Sequence, residues 1–296
     1  MNLVMSADDR YALPLGVLLI SIFANKNPGY DIKVYVIDSG LSSNSKEKLQ
    51  SIEKEYSFKI NYLEASGQIG QEFPRIGRLN EADYYKLLAP VMINENRLLY
   101  LDIDMVVLGD LKSLYESELK DGAIIGATTD SQETLIKNNF FRPISRYFNA
   151  GLLLFDCQKY REKNIWPQAL ELIKKNEIKI KYGDQDIFNH LLENDWQSLP
   201  KEYDIQQDEY DPPYQGEIRV LHYTGAIKPW HYSYSNPNIK YFSEYLQLSP
   251  WADWQPQKTL KKIILKNLKK TLRLISSPNA FIKIAETSAK IRGLKE

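Results

Sequence analysis

The alternation of short apolar runs with helix-length segments predicts an α/β fold with a mostly parallel central sheet. Continuous apolar runs of strand length occur at residues 3–6, 33–37, 59–63, 97–101 and 123–127. Segments of helical length and spacing separate them at residues 14–24, 42–56 and 81–88. Such crossovers place helices on both faces of the sheet, and ligands then bind at the carboxyl ends of the strands.

The length and charge of the chain indicate one large domain with an appendage. We expect a catalytic domain at residues 1–250 and a basic C-terminal region at residues 251–296. The 38 basic and 38 acidic residues cancel, so the overall charge does not favour nucleic acid as a partner. Residues 257–296 nevertheless hold eleven Lys and Arg against two Glu, so an acidic body carries a basic tail.

This basic tail has the pattern of an interfacial helix. In a helix, with about 100° per residue, one face carries the apolar side chains of Leu260, Ile263, Ile264, Leu268, Leu272, Leu274 and Ile275. The opposite arc collects the cations of Lys262, Lys266, Lys269, Lys270 and Arg273. We therefore predict that the tail binds an anionic membrane surface, with Trp251 and Trp254 as headgroup anchors. The alternative is a helix that packs on the catalytic domain and exposes its basic face.

The single cysteine and the hydropathy of the chain bear on its cellular location. Cys157 cannot form an internal disulfide, and a small buried hydrophobe is its expected role. The N-terminus lacks a basic segment followed by a long apolar run, and no stretch approaches the roughly 20 apolar residues that span a bilayer. We expect a cytoplasmic protein that is peripheral on the inner face of the cytoplasmic membrane.

Two carboxylates directly follow the apolar strand at residues 97–101. Asp102 and Asp104 are one residue apart and would project the same way from an extended chain. Like charges this close repel unless a cation lies between them or the chain separates them in a loop. Hard oxygen ligands suit Mg²⁺ or Mn²⁺ bound together with a diphosphate. The apolar residues on both sides of the triplet weaken the alternative of a solvated surface loop.

A second cluster runs from His222 to Trp230. It follows the apolar pair Val220 and Leu221, which places His222 at a strand end as a third metal ligand. Gly225 would allow a phosphate to approach the backbone, and Lys228 would supply a cation for it. A histidine with only a structural hydrogen bond is the competing interpretation.

Two further segments are candidates for ligand contact. Small residues around Asn149 and Ala150 lead into an apolar strand, which equally fits an ordinary strand entry. Asp184 is expected to cap a helix, whereas capping does not explain Gln185 or the carboxylate of Asp186.

Six motifs in order connect these clusters to a known family. They are Ser6-Ala7-Asp8-Asp9, Ala82-Asp83-Tyr84-Tyr85-Lys86-Leu87, Asp102-Ile103-Asp104, Phe148-Asn149-Ala150-Gly151, Gly183-Asp184-Gln185-Asp186 and His222-x-x-Gly225-x-x-Lys228-Pro229-Trp230. The chain resembles the retaining glycosyltransferase family 8, which contains lipopolysaccharide α-galactosyltransferases, bacterial α-glucosyltransferases and glycogenin. The resemblance covers residues 2 to about 235 and implies a GT-A nucleotide-sugar-binding sandwich.

The resemblance also implies roles for individual residues toward a UDP-sugar donor. Asp102, Asp104 and His222 would hold Mn²⁺, or Mg²⁺, with Ile103 completing the donor-binding triplet. Ala7 and Asp8 would contact uridine, and Gly225 and Lys228 the phosphates. The residues implied to face the donor sugar are Asn149, Ala150, Asp184, Gln185 and Asp130. Lys86 is also implied to bind the donor; it stands where the family usually has Arg, which weakens any bidentate contact there.

The implied reaction moves galactose or glucose from a UDP-hexose to a glycan or glycolipid acceptor with retention of configuration. Gln185 is a poor nucleophile, which favours front-face attack, while Asp184 or Asp130 remains an alternative nucleophile. Two other classes stay open at this point. One is a sugar nucleotidyltransferase, although a Gly-rich loop is absent after the first strand. The other is a non-catalytic carbohydrate-binding protein, although both Asp102 and Asp104 are intact.

Overall fold

The fold is built on a seven-stranded mixed sheet. The computed structural model describes residues 1–64, 81–120, 122–130, 146–175, 180–208 and 211–256, with backbone only at 81–84. The strands are β1 Asn2–Ala7, β2 Lys33–Asp38, β3 Ile60–Glu64, β4 Arg97–Leu101, β5 Met105–Val107, β6 Ile125–Thr129, β7 Phe148–Asp156, β8 Trp196–Ser198, β9 Ile205–Gln206 and β10 Val220–His222. The order in the large sheet is β3-β2-β1-β4-β7-β6-β8, and β5, β10 and β9 form a separate small sheet.

The large sheet is mostly parallel, as predicted. Strands β3, β2, β1 and β4 pair in parallel, and β8 pairs in parallel with β6. Strand β7 pairs antiparallel with both of its neighbours, so it alone runs against the other strands of this sheet. Its first residues therefore lie where β4 ends, with Leu152 opposite Leu101. This reversal brings residues 148–151 to the edge of the sheet at which parallel strands bind ligands.

Helices cover both faces of this sheet. The described helices are α1 Ala12–Ala24, α2 Ser43–Tyr56, α3 Glu81–Met92, α4 Lys112–Glu116, α5 Cys157–Glu162, α6 Ile165–Lys175, α7 Asp184–Leu191 and α8 Ile239–Gln247. Leu3 and Met5 of β1 belong to the apolar cluster beneath α1 and α2, whereas Val4 belongs to the cluster beneath α3, α6 and α7. The alternation of side chains along β1 thus divides the core into two layers.

The predicted elements agree with the observed ones apart from their ends. Strand 97–101 is exact, strand 59–63 is shifted by one residue, and strand 123–127 is shifted to Ile125–Thr129. The helix predicted at 81–88 continues to Met92 with Pro90 inside it. The capping role expected for Asp184 is wrong: Gly183 is the N-cap, at a φ of 61° that favours glycine, and Asp184 begins α7.

Two peripheral features bear on the remaining predictions. Cys157 is buried, and burial raises the pKa of its thiol to about 12, which confirms its role as a packing residue. Trp251 and Trp254 pack partly buried against the core, with Trp251 over Gly16 of α1. Their rings therefore contact the domain itself, which competes with the headgroup role predicted for them. The predicted tail helix and its basic arc lie outside the described residues.

No helix in the described ranges combines the length and the apolar character that a bilayer span requires.

Candidate active site

The acidic triplet lies in the turn that joins the two sheets. Strand β4 of the large sheet ends at Leu101, and β5 of the small sheet begins at Met105, so the chain turns at residues 102–104 instead of remaining extended. The backbone N–H of Asp102 donates to Gly151 O at 2.8 Å, and Tyr223 N–H donates to Asp104 O at 2.9 Å. The backbone of one aspartate is thereby anchored to each sheet.

The small sheet brings His222 to this turn. Strand β10 pairs antiparallel with β5, and His222 lies opposite Met105 in that register. His222 Nε2 is 3.3 Å from Asp104 Oδ1, and the imidazole side chain is only 5% exposed. The position predicted for His222 at a strand end beside the acidic pair agrees with the structure.

Asp102, Asp104 and His222 form a cluster with the composition of a divalent-cation site. One ligand atom from each residue lies within 4.8 Å of the others. Asp104 Oδ1 is buried and has no well-directed hydrogen-bond donor among the described residues. A buried carboxylate oxygen without such a donor suits a metal bond, and the two carboxylates are ligands that Mn²⁺ and Mg²⁺ prefer. These three residues therefore fit the cation that the sequence predicts.

The two carboxylates differ in their electrostatic surroundings. Burial raises the pKa of Asp102 to about 6, against the opposing effect of Lys86. Burial also opposes the ionisation of Asp104, but Lys228 and His222 hold its pKa below the ordinary value. The His222 pKa rises to about 10 because Asp104 and Asp204 outweigh the effect of burial. A protonated imidazole cannot bind a metal, so cation binding at His222 would release a proton.

Lys86 is buried at the centre of the site. Its ammonium lies 3.0 Å from Asp102 Oδ1 and 2.8 Å from Asp184 Oδ2, and it donates to Ala150 O at 3.0 Å. Its side chain is 7% exposed, and the two carboxylates raise its pKa although burial opposes this. Lys86 thus joins α3, the turn after β4, strand β7 and the start of α7 through a single cation. Asp184 pairs with this ammonium and does not form the helix cap expected from the sequence.

The residues predicted to face the donor sugar lie together beside Lys86. Gln185 Oε1 accepts from Ala150 N–H at 3.0 Å, and Gln185 Nε2 donates to Asp130 Oδ2 at 2.8 Å. Asn149 is buried and its Oδ1 accepts from Gly151 N–H at 2.8 Å. Asp186 accepts from the Tyr147 hydroxyl and from the N–H groups of Lys181 and Tyr182, which gives this carboxylate a structural role.

The remaining predicted residues surround the same turn and the end of β1. Lys228 Nζ is 2.6 Å from Asp104 Oδ2 and donates to Tyr223 O at 2.6 Å. Gly225 is half-buried in the loop between His222 and Lys228, and Ile103 is half-buried against the core. Ala7 ends β1, and the carboxylate of Asp8 accepts from Arg10 N–H at 2.9 Å and pairs with its guanidinium at 2.6 Å.

The sequence analysis did not identify the residue that contacts the second ring nitrogen of His222. Asp204 Oδ1 lies 3.0 Å from His222 Nδ1, and the Asp204 side chain is fully buried. It lies between Tyr203 and strand β9, which is only two residues long, in a segment for which the sequence analysis predicts no element. A buried acid beside so short an element has no periodic signal, so nothing local in the sequence indicated it.

A comparison with known protein families identifies the class of enzyme to which this chain belongs. A model described as glycosyl transferase family 8 matches residues 2–233. The chain belongs to this family. The recognition made from the six motifs is confirmed, and this family 8 member is a glycosyltransferase. A sugar nucleotidyltransferase and a non-catalytic binding protein are thereby set aside.

Individual relatives are similar to this chain over most of their length. The lipopolysaccharide 1,2-glucosyltransferase of Escherichia coli strain K12 is 27% identical over 274 residues, which cover 87% of this chain and 80% of the relative. General stress protein A of Bacillus subtilis is 24% identical over 274 residues, 86% of this chain and 94% of the relative.

A solved structure extends the likeness to the fold. The crystal structure of the galactosyltransferase LgtC, in complex with donor and acceptor sugar analogues, superposes with a TM-score of 0.71 at 26% identity. The match covers 84% of this chain and 96% of that chain. The GT-A fold predicted for this family 8 glycosyltransferase is therefore confirmed.

Proposed function

We propose that this glycosyltransferase moves galactose or glucose from a UDP-sugar to a glycan acceptor, with retention of configuration and in the presence of Mn²⁺ or Mg²⁺. The observation that carries the proposal is the cluster of Asp102, Asp104 and His222, whose ligand atoms lie within 4.8 Å of one another between two lysines. A cation with carboxylate ligands and open positions is suited to hold a diphosphate.

The chemistry assigned to the cation is stabilisation of the leaving diphosphate as negative charge develops on it. Lys228 and the backbone at Gly225 would bind the same phosphates. Lys228 supports this role because its ammonium already lies beside Asp104 on a half-buried loop, within reach of the cluster. Lys86 contributes differently: its contacts to Asp102 and Asp184 hold two acids in place, so its role is to orient them.

At the nucleoside end, Ala7 and Asp8 would face uridine at the carboxyl end of β1. The Asp8 carboxylate is oriented by Arg10, and an acceptor oxygen held in this way suits the N–H of a uracil ring. The ring of Tyr11 is 39% exposed and packs edge-on against Trp230. An exposed aromatic face at this position provides a stacking surface for a base.

At the sugar end, Asn149, Ala150, Asp184, Gln185 and Asp130 would bind the donor hexose. We infer front-face attack, in which the acceptor hydroxyl enters on the side from which UDP departs. Asp184 supports this inference, because its carboxylate is paired with Lys86 and only 9% exposed, which weakens it as a nucleophile. Asp130 is engaged by Gln185. Capture of a covalent glycosyl-enzyme on either aspartate, detected by mass spectrometry, would contradict front-face attack.

The acceptor class rests on the relatives. The Escherichia coli relative is a lipopolysaccharide 1,2-glucosyltransferase, and LgtC was crystallised with donor and acceptor sugar analogues. We therefore propose a saccharide acceptor on a surface polysaccharide, lipopolysaccharide or glycoprotein.

The test is release of UDP from a panel of UDP-hexoses with Mn²⁺, with and without a saccharide acceptor. We expect acceptor-stimulated release from UDP-galactose or UDP-glucose that stops when EDTA is added and returns with excess Mn²⁺. Release that is unaffected by EDTA would exclude the cation. Failure of every UDP-hexose, together with turnover of a different nucleotide sugar, would exclude the donor assignment.

A further inference from the structure

The ring of His222 is held between two acids that contact opposite nitrogens. Asp104 Oδ1 lies 3.3 Å from Nε2 and Asp204 Oδ1 lies 3.0 Å from Nδ1. When the neutral ring donates Nδ1–H to Asp204, its free lone pair is on Nε2 and points toward the acidic cluster. The hydrogen bond to Asp204 therefore selects the tautomer that a metal ligand needs.

Asp204 is itself held by residues from two further elements. Its Oδ2 accepts from the Thr128 hydroxyl at 2.6 Å and from Gln206 Nε2 at 3.3 Å, and its side chain is 0% exposed. Thr128 reaches it from β6, at a point where the pairing of β6 with β7 shifts register after Gly126. Such irregularities redirect a side chain out of its regular position. The carboxylate thus has a fixed orientation before any ligand binds.

The imidazole packs closely against the backbone of Gly151. A Cβ added at Gly151 would collide with His222 Cε1, and would lie 2.8 Å from both His222 Nδ1 and Met105 Cε. Gln207 N–H donates to His222 O at 2.9 Å, which fixes the backbone of β10 against the segment that carries Asp204. Packing against Gly151 therefore sets the position of the His222 ring, and the hydrogen bond to Asp204 sets its rotation.

We propose that Asp204 is the positioning residue of the cation site: it fixes the orientation and tautomer of His222 without contacting the cation or the donor. The inference rests on the proposed function, because it requires a divalent cation at Asp102, Asp104 and His222. Outer-shell acids of this kind contribute about 10-fold to 100-fold to metal affinity.

The decisive measurement is Mn²⁺ affinity of the full chain in the presence of UDP, followed by electron paramagnetic resonance. We expect Asp204→Asn to weaken Mn²⁺ binding by about 10-fold to 100-fold. Pulsed spectra of the wild type should contain the coupling of Mn²⁺ to an imidazole nitrogen. That coupling should be absent in His222→Ala, and weakened or altered in Asp204→Asn. A role of Asp204 in folding alone would leave this coupling unchanged.

Two sets of variants separate positioning from stability. Thr128→Val removes the shorter of the two hydrogen bonds to Asp204 Oδ2 and should also weaken Mn²⁺ binding, whereas Thr128→Ser retains the hydroxyl and should not. These variants keep the inference testable even if Asp204→Asn fails to fold. Glu53→Gln is the matched control, because Glu53 is a buried acid that accepts from Ile60 N–H on a different edge of the fold. It should lower stability without changing Mn²⁺ affinity.

The outcomes are distinct for the two proposals. Wild-type protein that binds no Mn²⁺ would overturn the cation part of the proposed function and this inference with it. Wild-type protein that binds Mn²⁺ with the nitrogen coupling, beside a folded Asp204→Asn with equal affinity and the same coupling, would overturn only the role of Asp204.

Discussion

Asp102 and Asp104 are separated by one residue, yet their charges have opposite effects on the fold. The pKa of Asp102 is raised to about 6, mainly by burial, so its ionised form is disfavoured in the folded chain. The pKa of Asp104 is lowered by Lys228 and His222 despite its burial, so its ionised form is favoured. The stability of the metal-free protein should report this difference.

The first prediction concerns Asp102→Asn in the presence of EDTA. Because the folded state retains the Asp102 proton more strongly than the unfolded state, the free energy of unfolding should fall as pH rises from about 4 to about 6. The Asn variant lacks this loss, so its melting temperature relative to wild type should increase across that window. Asp104→Asn should instead melt lower than wild type at pH 7, since Lys228 and His222 lose their anion. Parallel thermal melts of both variants at several pH values check this.

Activity should respond in the same way in both variants. If the proposed cation site is right, Asp102→Asn and Asp104→Asn should each lower kcat/KM by more than about 100-fold, because each removes a proposed ligand of the cation that stabilises the leaving group by several kcal/mol. Steady-state UDP release at saturating Mn²⁺ measures this. Near-normal turnover in either folded variant would show that its carboxylate is not a ligand.

Lys86 provides a third prediction at the scale of a residue. Lys86→Met leaves Asp102 and Asp184 close together without their shared cation, which should lower the free energy of unfolding by about 3–5 kcal/mol. Lys86→Arg keeps the charge and should cost less. Urea denaturation at neutral pH distinguishes the two variants. Equal stability of Lys86→Met and wild type would mean that this ion-pair network does not contribute to stability.

At the scale of elements, the reversed strand β7 determines what the site contains. Its N-terminal residues meet the end of β4, so Gly151 lies against both the Asp102 backbone and the His222 ring. The neighbouring strand β6 also contains a glycine, Gly126. A Cβ at this position would meet the side chains of Leu199 and Leu119. The two glycines are therefore a matched pair, one packed on the site and one on the core.

We expect Gly151→Ala and Gly126→Ala each to cost about 1–3 kcal/mol of stability through overpacking. Only Gly151→Ala should also weaken Mn²⁺ binding in the presence of UDP, because the added methyl group displaces the imidazole. Calorimetric titration of both variants with Mn²⁺ is the measurement. A loss of affinity in Gly126→Ala as large as that in Gly151→Ala would mean that general strain is responsible.

The sequence predicted those elements that have a local signal in the chain and missed those that do not. The strand before Asp102 was exact, because five apolar residues end abruptly at a carboxylate. The direction of β7 could not be predicted, because a continuous apolar run looks the same in either direction. Strands β5 and β9 have three and two residues, which is too short for a period to show. Lys86 was singled out by its motif, while its partners come from distant segments that only the fold brings together.

At the scale of the whole molecule, charge is distributed unequally along the chain. The net charge is zero, but residues 257–296 hold eleven basic residues against two Glu. Each well-placed cation near an anionic bilayer contributes on the order of 1 kcal/mol. The membrane role of this region stays a prediction, and Trp251 and Trp254 next to it are packed partly on the domain.

Truncation after Pro256 tests that prediction. The shortened chain should keep its activity toward a soluble acceptor and lose its binding to anionic vesicles at low salt, whereas wild type should cosediment with them. Neutral vesicles and high salt are the controls, because both remove the electrostatic attraction. Equal sedimentation of both chains would contradict the membrane role, and collapse of the shortened chain's melting temperature would assign the tail to the core.

The small sheet has a consequence for how the site forms during folding. It joins β5 to β10, and the Lys228–Asp104 pair beside it closes over 124 residues of chain. Closing so long a loop is entropically costly and slow, so contacts of this separation belong to the late steps of folding. On the ribosome, the acidic turn is made long before its histidine and lysine leave the exit tunnel. Competence to bind the cation should therefore appear last during refolding, after the helical signal has recovered, and Mn²⁺ would report the final step.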